Sequence, residues 1–300
     1  MPHHKIYIPN VPKKRFTGEL KNILVTGVLN HPDVESIDDA STADLILLDF
    51  RHLVHNLYQI TEPQKTVITD YRDYADAFFP DPALLYFKRS ITKPGHDGFV
   101  PSKRSYSHIA YCLRQEYLHL AEGSNSERDI DIAVFFEPLE SVANPRNKYR
   151  TNVARHIKQH YSHLKLFVGV TGARGQDGRS QFQSDYAEML LRARIIVTCN
   201  PDRWEGDWRL FEALGSGAAV LVDQMQTPIK YPFSDGEHLL YYDRTNLNTL
   251  TEKLNDLLDN EEKRKKLACQ AYRYVHTHHK PSDRIQQILE EVEAVKGSYN

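Results

Sequence analysis

The sequence is poor in cysteine, methionine and tryptophan, with three, three and two residues. Its cysteines, Cys112, Cys199 and Cys269, lie far apart and form no CxxC pair. That argues against a disulfide framework or a cysteine-ligated zinc site and leaves buried apolar thiols as the plain reading. No stretch reaches the ~18 apolar residues that a membrane span needs, and Met1–Asn10 holds no signal-peptide core. A chain working unanchored in a cytoplasm is therefore expected. Neither sign of charge dominates, since the formal net charge is −2. Wholesale binding to nucleic-acid phosphates is not expected of it. Internal repeats and low-complexity tracts are missing as well. What is present is a chain of 300 residues, 40% apolar and 26% charged. That composition suits a soluble globular protein of one large or two ordinary domains.

The first hundred or so residues hold short apolar runs between turn residues: Asn22–Leu29, Asp44–Phe50, Thr66–Asp70 and Leu84–Ser90. Runs of this length, rich in Val, Ile and Leu, predict buried parallel strands. Lys93–Ser102, with two prolines and two glycines, reads as a loop. Ser107–Leu120 is expected to be helical. Ala121–Arg128 is polar and Gly/Ser-bearing, and is the expected domain boundary. Beyond it the pattern is regular. Strands are expected at Asp131–Phe136, Lys165–Val170, Arg194–Cys199, Ala218–Val222 and Leu239–Tyr242. Helices are expected at Asn147–His160, Ser184–Leu191 and Asp207–Leu214, and three more around Leu247–Leu258, Glu261–Val275 and Ser282–Val295. Alternating strands and helices imply a parallel sheet covered on both faces. In such sheets chemistry sits at the carboxyl ends of the strands.

The informative stretch is Ser184–Asp223, SDYAEMLLRARIIVTCNPDRWEGDWRLFEALGSGAAVLVD. A helix, a strand, a loop, a second helix, a Gly-Ser-Gly stop and another strand follow one another. Arg209 and Glu212 are three apart and share a face near the start of the second helix. That end presents free N–H groups and partial positive charge, which suits a diphosphate. Arg209 adds a fork of donors for phosphate oxygens, and Glu212, an acceptor only, suits a ribose diol. On spacing alone, a surface ion pair is the commoner explanation of such a pair. Apolar neighbours Leu210, Phe211, Ala213 and Leu214 argue for a largely buried helix, where charges need partners.

This stretch resembles the nucleotide-binding motif of GT-B glycosyltransferases, an R-x-x-E-A-L/M-x-x-G pattern ahead of a strand. It is closest in character to the exostosin-like group. Tyr241–His279, a strand followed by leucine-rich helices, resembles the same class, so the likeness spans roughly Asp129 to Glu291. Upstream, Thr69–Asp76 (TDYRDYAD) and Tyr86–Ser90 (YFKRS) resemble the exostosin acceptor half more weakly. The resemblance implies two Rossmann-like domains with parallel sheets, the N-terminal one reduced. Residues 1–120 would bind the acceptor and 128–280 the nucleotide-sugar donor, with 281–300 a C-terminal helix that crosses back to the first domain. It implies Arg209 on the diphosphate and Glu212 on the ribose. Retaining GT-B enzymes often carry two glutamates with seven residues between them. Here Glu205 and Glu212 have six between, and Trp204 takes the aligned position, which leans the stereochemistry toward inversion.

Further candidates surround this motif. Arg146, Lys148 and Arg150 follow the first donor-domain strand, where one of them would neutralise a leaving diphosphate; a solvated basic helix start is the alternative. Asp207 and Trp208 open the motif helix, and Trp208 would stack on a base or sugar unless it is core. The Gly-rich loop Thr171–Ser180, with Arg174 and Arg179, has neither G-x-G-x-x-G nor Walker spacing. An inverting transfer needs a base for the acceptor hydroxyl. Asp70, Asp73 and Asp76 follow a strand end, and Asp73 is the chosen base, with helix capping or an ion pair with Arg72 or another neighbour as its alternative. His52 is the competing base; His52 and Arg72 are also candidate acceptor contacts. Asp129-Ile130-Asp131 has the letters of a DxD metal motif but precedes its strand. His276, His278 and His279 fall at a helix end, where dipole interactions explain them. No metal and no cofactor is expected, and the charge of the leaving group falls to arginine and the helix dipole.

The function expected is an inverting, metal-independent transfer of a sugar from a UDP-sugar to a hydroxyl of a glycan. UDP-xylose is a fitting donor because nothing marks a carboxylate pocket. The alternatives are a nucleotide-sugar epimerase or hydrolase on the same fold, and a non-catalytic nucleotide-sugar-binding module.

Overall fold

The structure, a computed structural model, describes residues 4–10, 18–73, 82–92, 107–121, 127–136, 148–170, 182–201 and 206–298. The chain divides into two compact units. The first takes in Met1–Cys112, Thr227–Lys230 and Lys280–Asn300, and the second Leu113–Gln226 and Tyr231–His279. The polar stretch from Ala121 to Arg128 thus belongs to the second unit, and the C-terminal segment belongs to the first.

The first unit is built on a six-stranded parallel sheet. Its strands are β1 (His4–Tyr7), β2 (Val34–Ile37), β3 (Leu45–Asp49), β4 (Thr66–Asp70), β5 (Leu85–Lys88) and β6 (Ser107–His108), in the order β2-β1-β3-β4-β5-β6. β3 and β4 are buried at every position, as a strand covered on both faces must be. Register sets Asp70 directly opposite Lys88 at the carboxyl ends of β4 and β5.

Two expectations fail here for one reason. Asn22–Leu29 is not a strand but a π-helical turn, Leu20–Val25, running into the short helix α1 (Thr26–Leu29). Ser107–Leu120 is not a helix; after β6 it runs without regular structure to the short 3-10 turn Gln115–Tyr117. A run as short and apolar as Asn22–Leu29 has no readable period, and in both stretches tertiary contacts decide the form. α1 packs against the C-terminal helix α8 (Pro281–Gly297). A Cβ on Gly27 would lie 2.6 Å from the Pro281 carbonyl oxygen, so glycine permits that approach. The backbone of residues 108–111 is satisfied by the same helix. Buried Arg284 donates to the carbonyls of Ala110 and Tyr111, and Gln287 to that of His108 at 2.7 Å.

The second unit has a five-stranded parallel sheet in the order β11-β10-β9-β7-β8. The strands are β7 (Ile130–Val134), β8 (Leu166–Val168), β9 (Ala193–Val197), β10 (Ala219–Asp223) and β11 (Leu240–Tyr242). The helices are α3 (Lys148–His160), α4 (Ser184–Arg192), α5 (Trp208–Gly215), α6 (Asn248–Asp259) and α7 (Glu261–His278). The first unit adds α2 (Phe50–Val54). Leu250, Leu254 and Leu257 of α6 recur at helical spacing and are buried together with Ile132, Val134, Ile195, Val197 and Leu221 of the sheet. In each sheet the first strand lies between the second and the third, so the strand order reverses there. Ligands of such sheets bind beyond the carboxyl ends at that reversal.

Candidate functional site

In the second unit the reversal falls between β7 and β9. The loop leaving β9 is held by charged side chains. Asp223, at the end of β10, accepts the Asn200 N–H at 2.6 Å. Arg244 donates to the Asn200 carbonyl at 3.0 Å and lies 3.2 Å from the Asp223 carboxylate. Arg150, in the first turn of α3, donates to the Cys199 carbonyl at 2.6 Å and to Asp207 at 3.0 Å. The loop is therefore clamped at both its known ends. Burial raises the Asp223 pKa to about 7, against the opposing hydrogen bond from Asn200 and the charge of Arg244.

Asp207 is the N-cap of α5, its side chain accepting from the Leu210 N–H. Arg209 reaches the same carboxylate at 2.6 Å. Arg150, Asp207 and Arg209 thus gather at the amino end of α5, where the helix dipole adds positive charge. The Gly-Ser-Gly stop has a separate reason for each glycine. A Cβ on Gly215 would meet the Leu113 side chain at 2.6 Å, and Gly217, at φ 75°, adopts the left-handed turn after the helix cap.

Glu212 is buried, 3% exposed, and its partners are not legible from the motif. Oε1 receives Nη2 of Arg114 at 2.6 Å and its Nε at 2.9 Å; Oε2 receives the Tyr186 hydroxyl at 2.9 Å. The Arg114 guanidinium lies over the rings of Tyr117 and Trp208, at 4.5 and 5.7 Å from their centroids. Trp208 is itself buried. Burial, reinforced by the Glu212 charge, raises the Tyr117 pKa well above its ordinary range. Sequence reasoning missed Arg114 because it lies 98 residues from Glu212. Arg150 and Arg244 were missed or left undecided for a similar reason: their roles come from the β9 loop they hold.

In the first unit, charged groups gather at the carboxyl ends of β3, β4 and β5. Asp70 is fully buried and bound by Arg72 at 2.8 Å, Lys88 at 3.3 Å and the Tyr86 hydroxyl at 2.6 Å. Burial works to raise its pKa, but the Arg72 hydrogen bonds and the Lys88 charge outweigh it and hold the carboxyl low. Lys88 is pushed down to about 8 by burial, with Asp70 opposing. Arg72 also stacks 3.7 Å from the Phe50 ring centroid. Asp73 pairs with buried Arg89, and its own side chain is 50% exposed, which leaves it open to solvent where Asp49 and Asp70 are buried. His52 is closed in: Nδ1 accepts the Asp49 N–H at 2.9 Å and Nε2 donates to the Pro9 carbonyl at 3.0 Å, in the tautomer these partners imply. It completes the capping box of α2 with Asp49, which leaves neither nitrogen for a substrate.

Other candidates are placed plainly. Asp129 pairs with Arg192 and Asp131 with Arg194, at the amino end of β7 and away from the strand carboxyl ends. The imidazole of His276 is held by the carbonyls of Tyr272 and Leu118, and His279 stacks on Phe233. Among the described residues no group of three or more His, Cys, Asp or Glu is gathered for a metal ion. None of the described helices is long and apolar enough to cross a membrane. Arg146, Asp76, Trp204, Glu205, Arg174 and Arg179 lie outside the described residues.

With this geometry in hand, the chain can be compared with known proteins. Residues 140–290 match the model of a family described as glycosyl transferase-like. The match covers half of the chain, and the chain belongs to that family. No curated protein sequence matches it. Among solved structures it is similar to HepE of Anabaena in complex with UDP, at TM-score 0.56 and 10% identity over 97% of this chain and 100% of that one. It is similar to the sucrose-phosphate synthase of Thermosynechococcus elongatus, at TM-score 0.53 and 11% identity over 95% of this chain and 81% of that one. It is also similar to TarM of S. aureus, at TM-score 0.54 and 10% identity over 83% of this chain and 54% of TarM. The chain thus spans about half the length of TarM. At these identities the likeness is one of fold: two parallel-sheet, Rossmann-like α/β domains of the GT-B type.

Proposed function

We propose that the protein transfers a sugar from a UDP-sugar to a hydroxyl of a glycan, with inversion and without a metal ion. The observation that carries this reading is the gathering of Arg150, Asp207 and Arg209 at the amino end of α5, beside the clamped loop after β9. It supports a diphosphate seat made of guanidinium groups and helix N–H groups. The UDP held by the HepE structure supports the choice of nucleotide. Arg209 takes the diphosphate, Asp207 fixes the helix start that receives it, and Arg146 adds charge. Glu212 takes the ribose through Oε2, which keeps acceptor capacity beside the single Tyr186 hydrogen bond. Trp208 backs the Arg114 guanidinium that holds Glu212 in place.

In the transfer, the acceptor oxygen attacks the anomeric carbon as the bond to the UDP oxygen breaks. Asp73 takes the hydroxyl proton, and the electron pair of the broken bond leaves on the diphosphate, stabilised by Arg209. The half-exposed carboxylate of Asp73, oriented by Arg89, supports its choice over the buried Asp70 and the fully engaged His52. Arg72 is the acceptor contact of this reading. A pentose donor such as UDP-xylose and the exostosin-like subgroup are its finer parts.

Calorimetry with UDP, GDP, CDP, UDP-sugars, NAD and S-adenosylmethionine, in EDTA, tests the donor half. Preference for UDP compounds that Arg209→Ala weakens supports it. If no nucleotide binds, or Arg209→Ala binds as tightly, the central claim is wrong. Incubation of the preferred UDP-sugar alone separates transfer from epimerisation, because an epimerase converts its donor without an acceptor.

A further inference from the structure

The sheet of the second unit carries the donor candidates at its carboxyl end. At the opposite end, where the strands begin, lies a cavity of about 660 Å³. It is lined by Arg128 ahead of β7, Arg194 at the start of β9, and Arg264, Lys265, Cys269 and Tyr272 of α7. A five-residue strand is roughly 16 Å long, so the length of β9 separates this cavity from Asn200.

The cations are built into the wall. Arg128 donates to the carbonyls of Leu190, Ala193 and, at 2.6 Å, Ser216. Those carbonyls belong to the ends of α4 and α5, so one guanidinium caps two helices. Among the described residues no carboxylate pairs with it; burial lowers its pKa. Arg264 donates to the carbonyls of Leu257 and Leu258 at the end of α6, at 2.7 and 3.4 Å. Arg194 pairs with Asp131 at 2.8 Å, and Lys265 with Glu261 at 2.6 Å. Among the described residues, four cationic side chains and one acid, Glu261, line the cavity, an excess of positive charge. Gly217 keeps the wall open, since a Cβ there would lie 3.2 Å from the Arg128 guanidinium.

We propose that this cavity is a second ligand site, which takes a small organic phosphate. Guanidinium forks match phosphate oxygens, and the half-buried ring of Tyr272 offers an aromatic wall to a sugar or base. The volume lies within the range of sites for small molecules. The proposal concerns the second unit alone and stands whether or not the donor reading does.

Cys269 supplies the readout. It is exposed and lines the cavity, whereas Cys112 and Cys199 are buried. The rate at which a thiol-reactive dye labels Cys269 in the full chain is measured with inorganic phosphate, a hexose 6-phosphate, a nucleoside monophosphate, or chloride at matched ionic strength. An organic phosphate at about ten times its Kd is expected to slow labelling roughly tenfold. It does so at lower concentration than inorganic phosphate, and chloride has no effect. Whichever of the two organic phosphates acts at lower concentration identifies the moiety beside Tyr272. Lys265→Glu and, separately, Arg264→Gln are expected to lose the protection, while Arg209→Ala at the far end of the sheet retains it. Equal labelling in organic phosphate and chloride overturns the proposal. So does protection that survives both Lys265→Glu and Arg264→Gln, or protection that Arg209→Ala abolishes.

Discussion

Removing the Glu212 carboxylate breaks a buried ion pair with Arg114 before it touches any ligand. Arg114 and Glu212 are each 3% exposed and joined by contacts of 2.6 and 2.9 Å. Breaking one side of a buried pair costs roughly 3–5 kcal/mol. Loss of the hydrogen bond from the Tyr186 hydroxyl adds about 1 kcal/mol. Glu212→Ala is therefore expected to destabilise the protein by about 4–6 kcal/mol. Arg114→Met leaves the carboxylate buried and is expected to cost about 3–5 kcal/mol. The double variant Arg114→Met/Glu212→Leu holds no stranded charge, and its cost falls short of the sum of the singles by at least ~2 kcal/mol. Urea denaturation of the four proteins, followed by circular dichroism, measures this cycle. Additive costs, or single-variant losses below ~1 kcal/mol, would refute the reasoning, since they describe a pair that water screens. The consequence for donor binding is practical. Glu212→Gln keeps the side chain's shape and an acceptor for Tyr186, so it tests the ribose contact with less damage to the fold than Glu212→Ala.

Asp223 links stability to pH. Its folded pKa of about 7 lies above the ordinary 3.8, so between those values the folded chain binds a proton that the unfolded chain does not. Its contribution is fully present below pH 4 and is lost as pH rises to 7, by an amount approaching ~4 kcal/mol. Asp223→Asn is expected to flatten the stability profile across that window in denaturation series at successive pH values; an unchanged slope would place its pKa near the ordinary value. Gly27→Ala puts a methyl group 2.6 Å from the Pro281 carbonyl oxygen. It should cost about 1–3 kcal/mol by thermal or chemical denaturation, and a neutral result would mean that α1 and α8 separate readily. Asp73→Asn is expected to lower transfer by at least ~100-fold while UDP affinity, measured by calorimetry, stays unchanged. Transfer at the wild-type rate would remove Asp73 as the base.

Much of this protein is written locally in its sequence. The strand–helix alternation from β7 onward is legible because leucines such as Leu250, Leu254 and Leu257 recur at helical spacing and strands such as Ala219–Asp223 are continuous apolar runs. The Arg209–Glu212 motif and the Gly-Ser-Gly stop are equally local, since one helix start and one left-handed turn fix them. Asn22–Leu29 and Ser107–Leu120 are different: the first is too short and apolar to carry a period, the second carries a helix-compatible mixture of apolar and charged residues, and both pack against α8, from the other end of the chain. Charge pairing was decided the same way. Nothing near Glu212 in sequence marks Arg114 as its partner, and nothing near Asn200 marks Asp223 and Arg244 as its clamp. The sequence determines where a helix can start and which residue types stand there. Only the folded chain brings distant charges within hydrogen-bonding range, and burial, which makes such pairs strong and sets the pKa values of Asp223 and Lys88, exists only there.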